Sequence, residues 1–220
     1  MHEAFEQMLA HPAPGIWFGA HDRAGLPARL IPTRHEVGKP AGWLSMRALR
    51  QKLSALPDRG ASMLDFYKRH NGVGLCVLPD PLNGGDQPSF SLLPIGNMSD
   101  TPTEDDWFYE GAEHIYQAGK FLKIAESPSE QTTLSMVLQD GGPERPKAGK
   151  IYYLSLDPVW ACDEPVFAGF DALLDRIATE PARFLSDIGY CGAVQGVGAE
   201  KGWFGDPPDR YVPDILAEPK

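Results

Sequence analysis

The chain has 220 residues, 42% of them hydrophobic and 23% charged, and a net charge of −10. This composition supplies a core and excludes a disordered chain, which has fewer aromatics and a higher charge density. The apolar runs break far short of the ~20 residues a membrane span needs, and the N-terminus lacks the basic and apolar regions of a signal peptide. The expected setting is therefore cytoplasmic, without membrane contact.

The charge is uneven. Residues 1–75 hold ten basic and six acidic residues, a net of +4, and residues 76–220 carry −14. An acidic surface repels nucleic-acid phosphates and attracts a basic partner protein. Cys76, Cys162 and Cys191 are odd in number and widely spaced, so buried free thiols are expected rather than a disulfide framework.

Taken in chain order, residues 1–10 predict a short helix with Phe5, Met8 and Leu9 on one side, ended by Pro12, Pro14 and Gly15. GIWFGA (15–20) and PARLIP (27–32) read as extended segments around a turn. Ser45 is the expected N-cap of a helix to Leu56, with Met46, Leu49, Leu53 and Leu56 in helical period and Pro57 as its stop. Ser62 and Asp65 suggest a capping box for a second helix, whose Met63, Phe66, Tyr67 and His70 share a face. Asn71-Gly72 supplies a left-handed exit, and VGLCVLP looks like the first strand of a sheet.

Residues 90–95 predict another strand, and residues 97–113 are acidic and turn-rich. Strands at 120–126, 132–138 and 150–156 then form an antiparallel meander. Leu134, Met136 and Leu138 alternate with polar residues, which predicts a sheet with one buried face. Phe170, Leu173, Leu174 and Ile177 mark an amphipathic closing helix, continued by PARFLSDIG. The order is α+β: a mainly antiparallel sheet packed against helices, not alternating βαβ units.

Enzyme motifs are missing. There is no G-x-S-x-G elbow. AGKI (148–151) imitates the end of a P-loop but has Glu144 at the first glycine position and Ile151 in place of the hydroxyl residue. The glycines at 189, 192, 196 and 198 do not sit between a strand and a helix. Histidines 2, 11, 21, 35, 70 and 114 are scattered, without metal-ligand spacing. No catalytic residue, cofactor or metal is expected, and His70 reads as a helix-end residue favoured by the dipole.

Two acidic segments remain. SDTPTEDDWFYEG (99–111) contains Asp100, Glu104, Asp105, Asp106 and Glu110 around Trp107, without a basic residue. DPVWACDEPVFAGFDALLD (157–175) contains Asp163 and Glu164, again with no Lys or Arg. Aromatics anchor and charges steer at protein interfaces, so these eight residues form the candidate partner-binding set. A hydrolase using the 100–110 carboxylates is the catalytic alternative, but no nucleophile or electrostatic clamp accompanies them.

ASMLDFYKRHNGVGL resembles the helix–Asn-Gly–strand element of the SUKH superfamily. IYYLSLDPVWACDEPVFAGFDALLDRIATEPARFL resembles that family's closing unit: an aromatic strand, an Asp turn, a short strand and an F-x-x-L-L helix. Leu56-Pro57 is the nearest match to the family's Leu-Pro. The resemblance covers residues 45–190 and leaves 1–44 as an N-terminal extension packed on the domain and 191–220 as a tail. It implies a non-enzymatic α+β domain, as in bacterial immunity proteins that neutralise a cognate toxin, often a basic nuclease. A regulatory or scaffold module of the same fold is the other implied role.

Overall fold

The computed structural model describes residues 2–13, 16–18, 29–31, 33–77, 88–101, 120–127, 132–139, 147–156, 159–161, 165–179, 181 and 184–185. Helix α1 is Glu3–Ala10, with Glu3 and Glu6 in the first turn, where the dipole favours acids. Phe5 is its buried anchor, and Met8 and Leu9 pack on the core beside it. Strands β1 (Ile16–Phe18) and β2 (Arg29–Ile31) pair antiparallel as a separate ribbon, as the two extended segments predict. Strand β3, Arg34–Val37, has no counterpart in the sequence reading.

Helix α2 runs from Trp43 to Lys52 and tightens into a 3-10 turn over Leu53–Ala55. Its N-cap is Gly42, not Ser45: the Met46 N–H already bonds the Gly42 carbonyl. The helix therefore begins earlier than the hydroxyl suggests, and no side chain caps it. Helix α3, Ala61–Tyr67, likewise starts from a glycine, Gly60, at φ +65°. The expected capping box is not formed. Ser62 lies inside the helix and donates to Asp171, while Asp65 accepts from Arg69. The buried face is as predicted, with Met63, Phe66 and Tyr67 all at most 1% exposed.

The main sheet is eight-stranded and antiparallel. Its order is β10-β9-β8-β7-β5-β4-β3, formed by Val159–Ala161, Ile151–Leu156, Thr132–Val137, Phe121–Ser127, Phe90–Leu92, Val73–Val77 and β3. Strand β6, Asp100–Thr101, pairs the early part of β7 on the edge that β5 occupies further along. A 3-10 turn at Ile95–Asn97 separates the two, so the predicted 90–95 strand ends at Leu92. Strand β4 is not the first strand of the sheet, because β3 lies outside it as an edge.

The register aligns Val73, Leu92, Ala125, Leu134 and Tyr153 in one cross-strand row. That row faces the helices, and α4 (Phe170–Thr179) closes the core with Phe170, Leu173, Leu174 and Ile177. The fold is α+β, an open antiparallel sheet with four helices among the described residues. Expectation and structure differ on the second face of the sheet. Thr133 and Ser135 are buried as well as Leu134 and Met136, and Phe121 and Tyr152 pack edge to face behind them. The Ser135 hydroxyl has no hydrogen-bond partner among the described residues.

The Asn71-Gly72 corner ties three segments together. The Asn71 side-chain oxygen accepts from the Ile95 N–H at 2.9 Å, and the Gly72 carbonyl accepts from the Gly38 N–H at 2.9 Å. Gly72 has φ +94°, and a Cβ there would stand 2.9 Å from the Leu92 carbonyl oxygen and 2.8 Å from the Pro94 nitrogen. Both obstacles are backbone and cannot swing away. Gly72→Ala is expected to destabilise by more than ~1 kcal/mol, whereas Gly96→Ala, with open space around it, changes stability little. Urea midpoints of the two variants check this.

The β3–β4 pairing carries a bulge: Arg34 faces Val77 and Glu36 faces Gly74, so Leu75 and Cys76 together oppose His35. Cys76 adopts φ +47°, and its N–H reaches His35 Nδ1 at 3.5 Å. That contact needs an unprotonated Nδ1, and burial holds the His35 pKa below its ordinary 6.5. Burial also pushes the Cys76 thiol from 9.0 up to about 12. The lowered histidine contributes stability above pH 6.5 that is lost as pH falls through its folded value. The raised thiol contributes below pH 9 what is lost as pH rises through about 12. The stability advantage of the wild type over a His35→Phe, Cys76→Ala double variant should therefore be largest between these limits, measured by urea unfolding across pH.

Candidate functional site

Helix α2 has two dissimilar faces. Met46 and Leu49 point into the core, and Leu53 and Leu56 continue that face beyond the helix. Trp43 and Leu44, on the first turn, point outward with 69% and 63% of their surfaces exposed. Residues 3–4 apart share a helix face. Trp43, Arg47 and Arg50 therefore form one outward stripe, and Leu44, Ala48 and Gln51 another. Ala48 and Gln51 of the second stripe line a groove of about 460 Å³ together with Lys52, Asp100, Lys120, Leu138 and Gln139.

Asp100 is the one member of the predicted partner-binding set within the described residues. It sits on β6 and lines the groove, where Lys52 Nζ reaches its carboxylate at 2.5 Å. Its charge is thereby countered by Lys52 of α2. Glu104, Asp105, Asp106, Trp107, Glu110, Asp163 and Glu164 lie outside the described residues. A helix starting at Ser45 leaves Trp43 and Leu44 outside it, whereas α2 includes both. Their signal is present all the same: continued backwards, the Met46–Leu49–Leu53 period places Leu44 on the far side of the helix.

A second cluster forms where α1, α3 and α4 meet. Ser62 Oγ donates to Asp171 Oδ1 at 2.5 Å. His2 Nε2 lies 3.4 Å from both the hydroxyl and the carbonyl oxygen of Ser62, and His2 Nδ1 lies 3.6 Å from Asp171. A nucleophilic triad would direct the hydroxyl hydrogen to the imidazole. Here it goes to the carboxylate, and Ser62 is 7% exposed, so the contacts fasten three helices instead. Asp171 and Ser62 border a cavity of about 410 Å³ together with Lys150, Met136 and Phe170.

The first turn of α1 is fastened in the same manner. Glu6 accepts from Arg69 at 2.9 Å and pairs with His70 Nε2 at 2.9 Å. His70 lies three residues beyond the end of α3 and contacts a carboxylate instead of ending the helix. Among the described residues, no group of three His, Cys, Asp or Glu side chains could hold a metal ion. Among the same residues, no helix is long and apolar enough to cross a membrane. No family model, curated protein or solved structure matches the chain.

If the Ser62 cluster is a fastening, Ser62→Ala removes one hydrogen bond to the half-exposed Asp171 carboxylate, which water then solvates. The expected loss is about 0.5–1.5 kcal/mol of stability. Thermal unfolding of the variant measures it, and an unchanged unfolding temperature would contradict the assignment.

Proposed function

We propose that this chain is a non-enzymatic protein-binding domain whose contact surface is the outward face of α2. The observation that carries the proposal is the pair Trp43 and Leu44, neighbours in sequence and both more than 60% exposed. Such side chains gain about 1.5–3 kcal/mol each when fully buried. Tryptophan is the residue type most enriched among interface hot spots. Neither side chain belongs to the hydrophobic core, so folding does not account for them.

The narrower form of the proposal is a SUKH-like immunity protein that neutralises a cognate toxin. It is supported by the resemblance of residues 61–75 and 151–185 to that superfamily. The −14 charge of residues 76–220, which would steer a basic toxin domain, agrees with it. A regulatory or scaffold module of the same fold is the sister reading, separated by whether a toxin gene lies beside this one.

A Trp43→Ala, Leu44→Ala double variant should keep its urea-unfolding stability within about 0.5 kcal/mol of wild type, since both positions are exposed. Used as bait in an extract of the native cell, it should lose the stoichiometric partner that the wild-type chain captures. Equal capture by both proteins would remove the α2 surface from the proposal. Failure of the wild type to protect cells from a neighbouring toxin would remove the immunity form alone.

A further inference from the structure

We infer that the α2 face receives an acidic segment of a partner protein that carries large apolar side chains. The inference rests on the protein-binding reading above and adds the chemistry of the partner. Its first ground is charge. Residues 38–57 contain Lys39, Arg47, Arg50 and Lys52 and no acidic residue, in a chain whose net charge is −10. Lys52 is neutralised by Asp100. Arg47 and Arg50 form no ion pair among the described residues, and both are exposed. They repeat at helical spacing from Trp43, which places two guanidinium groups beside the most exposed aromatic side chain of the described core-free surface.

The second ground is the continuity of the apolar path. Leu44 lies one helical turn before Ala48, which lines the groove with Leu138 and with Lys120, another cation. A segment lying along this path would bury its own apolar side chains against Trp43, Leu44 and Leu138. Its carboxylates would meet Arg47, Arg50 and Lys120. Arginine suits this task because its planar fork takes a carboxylate through two hydrogen bonds. A basic segment would instead meet like charges throughout the path, which disfavours it.

A nucleic acid strand also combines negative charge with stacking on an exposed tryptophan. The charge of the whole chain argues against it, because the acidic remainder repels a polyphosphate more strongly than a segment with a few carboxylates. A second copy of this chain could offer an acidic segment too, and sedimentation of the pure protein tests that occupant.

The test uses the full chain as bait for random short peptides displayed on phage. It is run in parallel with the Trp43→Ala, Leu44→Ala variant and with an Arg47→Glu, Arg50→Glu variant. Peptides enriched on the wild type are expected to be net acidic with at least two large apolar residues. A synthetic peptide of the consensus should bind on the order of tenfold more weakly to either variant. The loss from charge reversal should shrink at high salt, and the loss from the apolar variant should not. Enrichment of basic peptides overturns the inference, as do enrichment independent of both variants, displacement by an oligonucleotide, or dimerisation that blocks the face. If the native partner is captured through Trp43 and Leu44 but presents a basic segment, the inference fails while the protein-binding reading stands. If neither partner nor peptide depends on Trp43 and Leu44, both fail.

Discussion

The ring of Phe66 is the contact on which the helical layer depends. It is fully buried, and Phe5, Tyr67, His70, His2 and Phe170 all stand around it edge-on, with centroids 5.0 to 6.4 Å away. Those rings come from the N-terminal segment, α3 and α4, which are distant in sequence. Edge-to-face pairs each add about 0.5–1.5 kcal/mol beyond the area they bury. The neighbouring Tyr67 then carries the layer onto the sheet. Its hydroxyl donates to the Leu93 carbonyl at 2.7 Å, and burial raises its pKa far above the ordinary value, so it remains a donor. Polar fastenings lie at the cluster's margin, where Ser62, Asp171 and His2 close one side and Glu6, Arg69 and His70 the other.

Much of this was legible from residue patterns. The face formed by Met63, Phe66 and Tyr67, the glycine at the end of α3, the three meander strands and the apolar stripe of α4 all follow local periodicity, which the chain obeys. The helix starts did not. Ser45 and Ser62 have the chemistry of N-caps, yet Gly42 and Gly60 hold those places. Glycine fits the αL conformation at residue 60, and Ser62 is committed to a carboxylate 109 residues away. Strand β3 was missed because RHEV is short, polar and mostly exposed, and its pairing is set by β4 rather than by its own propensity.

The sheet's second face shows the same boundary between local and distant information. Alternation in TTLSMV indicates one wet face, but Thr133 and Ser135 are buried. A period of two shows which residues share a side of the strand, not what covers that side. The candidate site was legible in half. The excess of positive charge before residue 75 is visible in the sequence, and so is Trp43. That Trp43 and Leu44 stand in water follows from the helix beginning at Gly42, a tertiary result.

On α2, Met46 and Leu49 belong to the core while Trp43, Leu44, Arg47 and Arg50 lie outside it, so the proposed binding face can be altered apart from the fold. Fluorine NMR of the chain labelled with 5-fluorotryptophan tests this most directly, with the Trp43 resonance assigned through Trp43→Phe. On addition of native-cell extract, the Trp43 signal should shift or broaden, and excess unlabelled wild-type chain should restore it. A Trp43 signal that stays unchanged while another tryptophan responds would contradict the account.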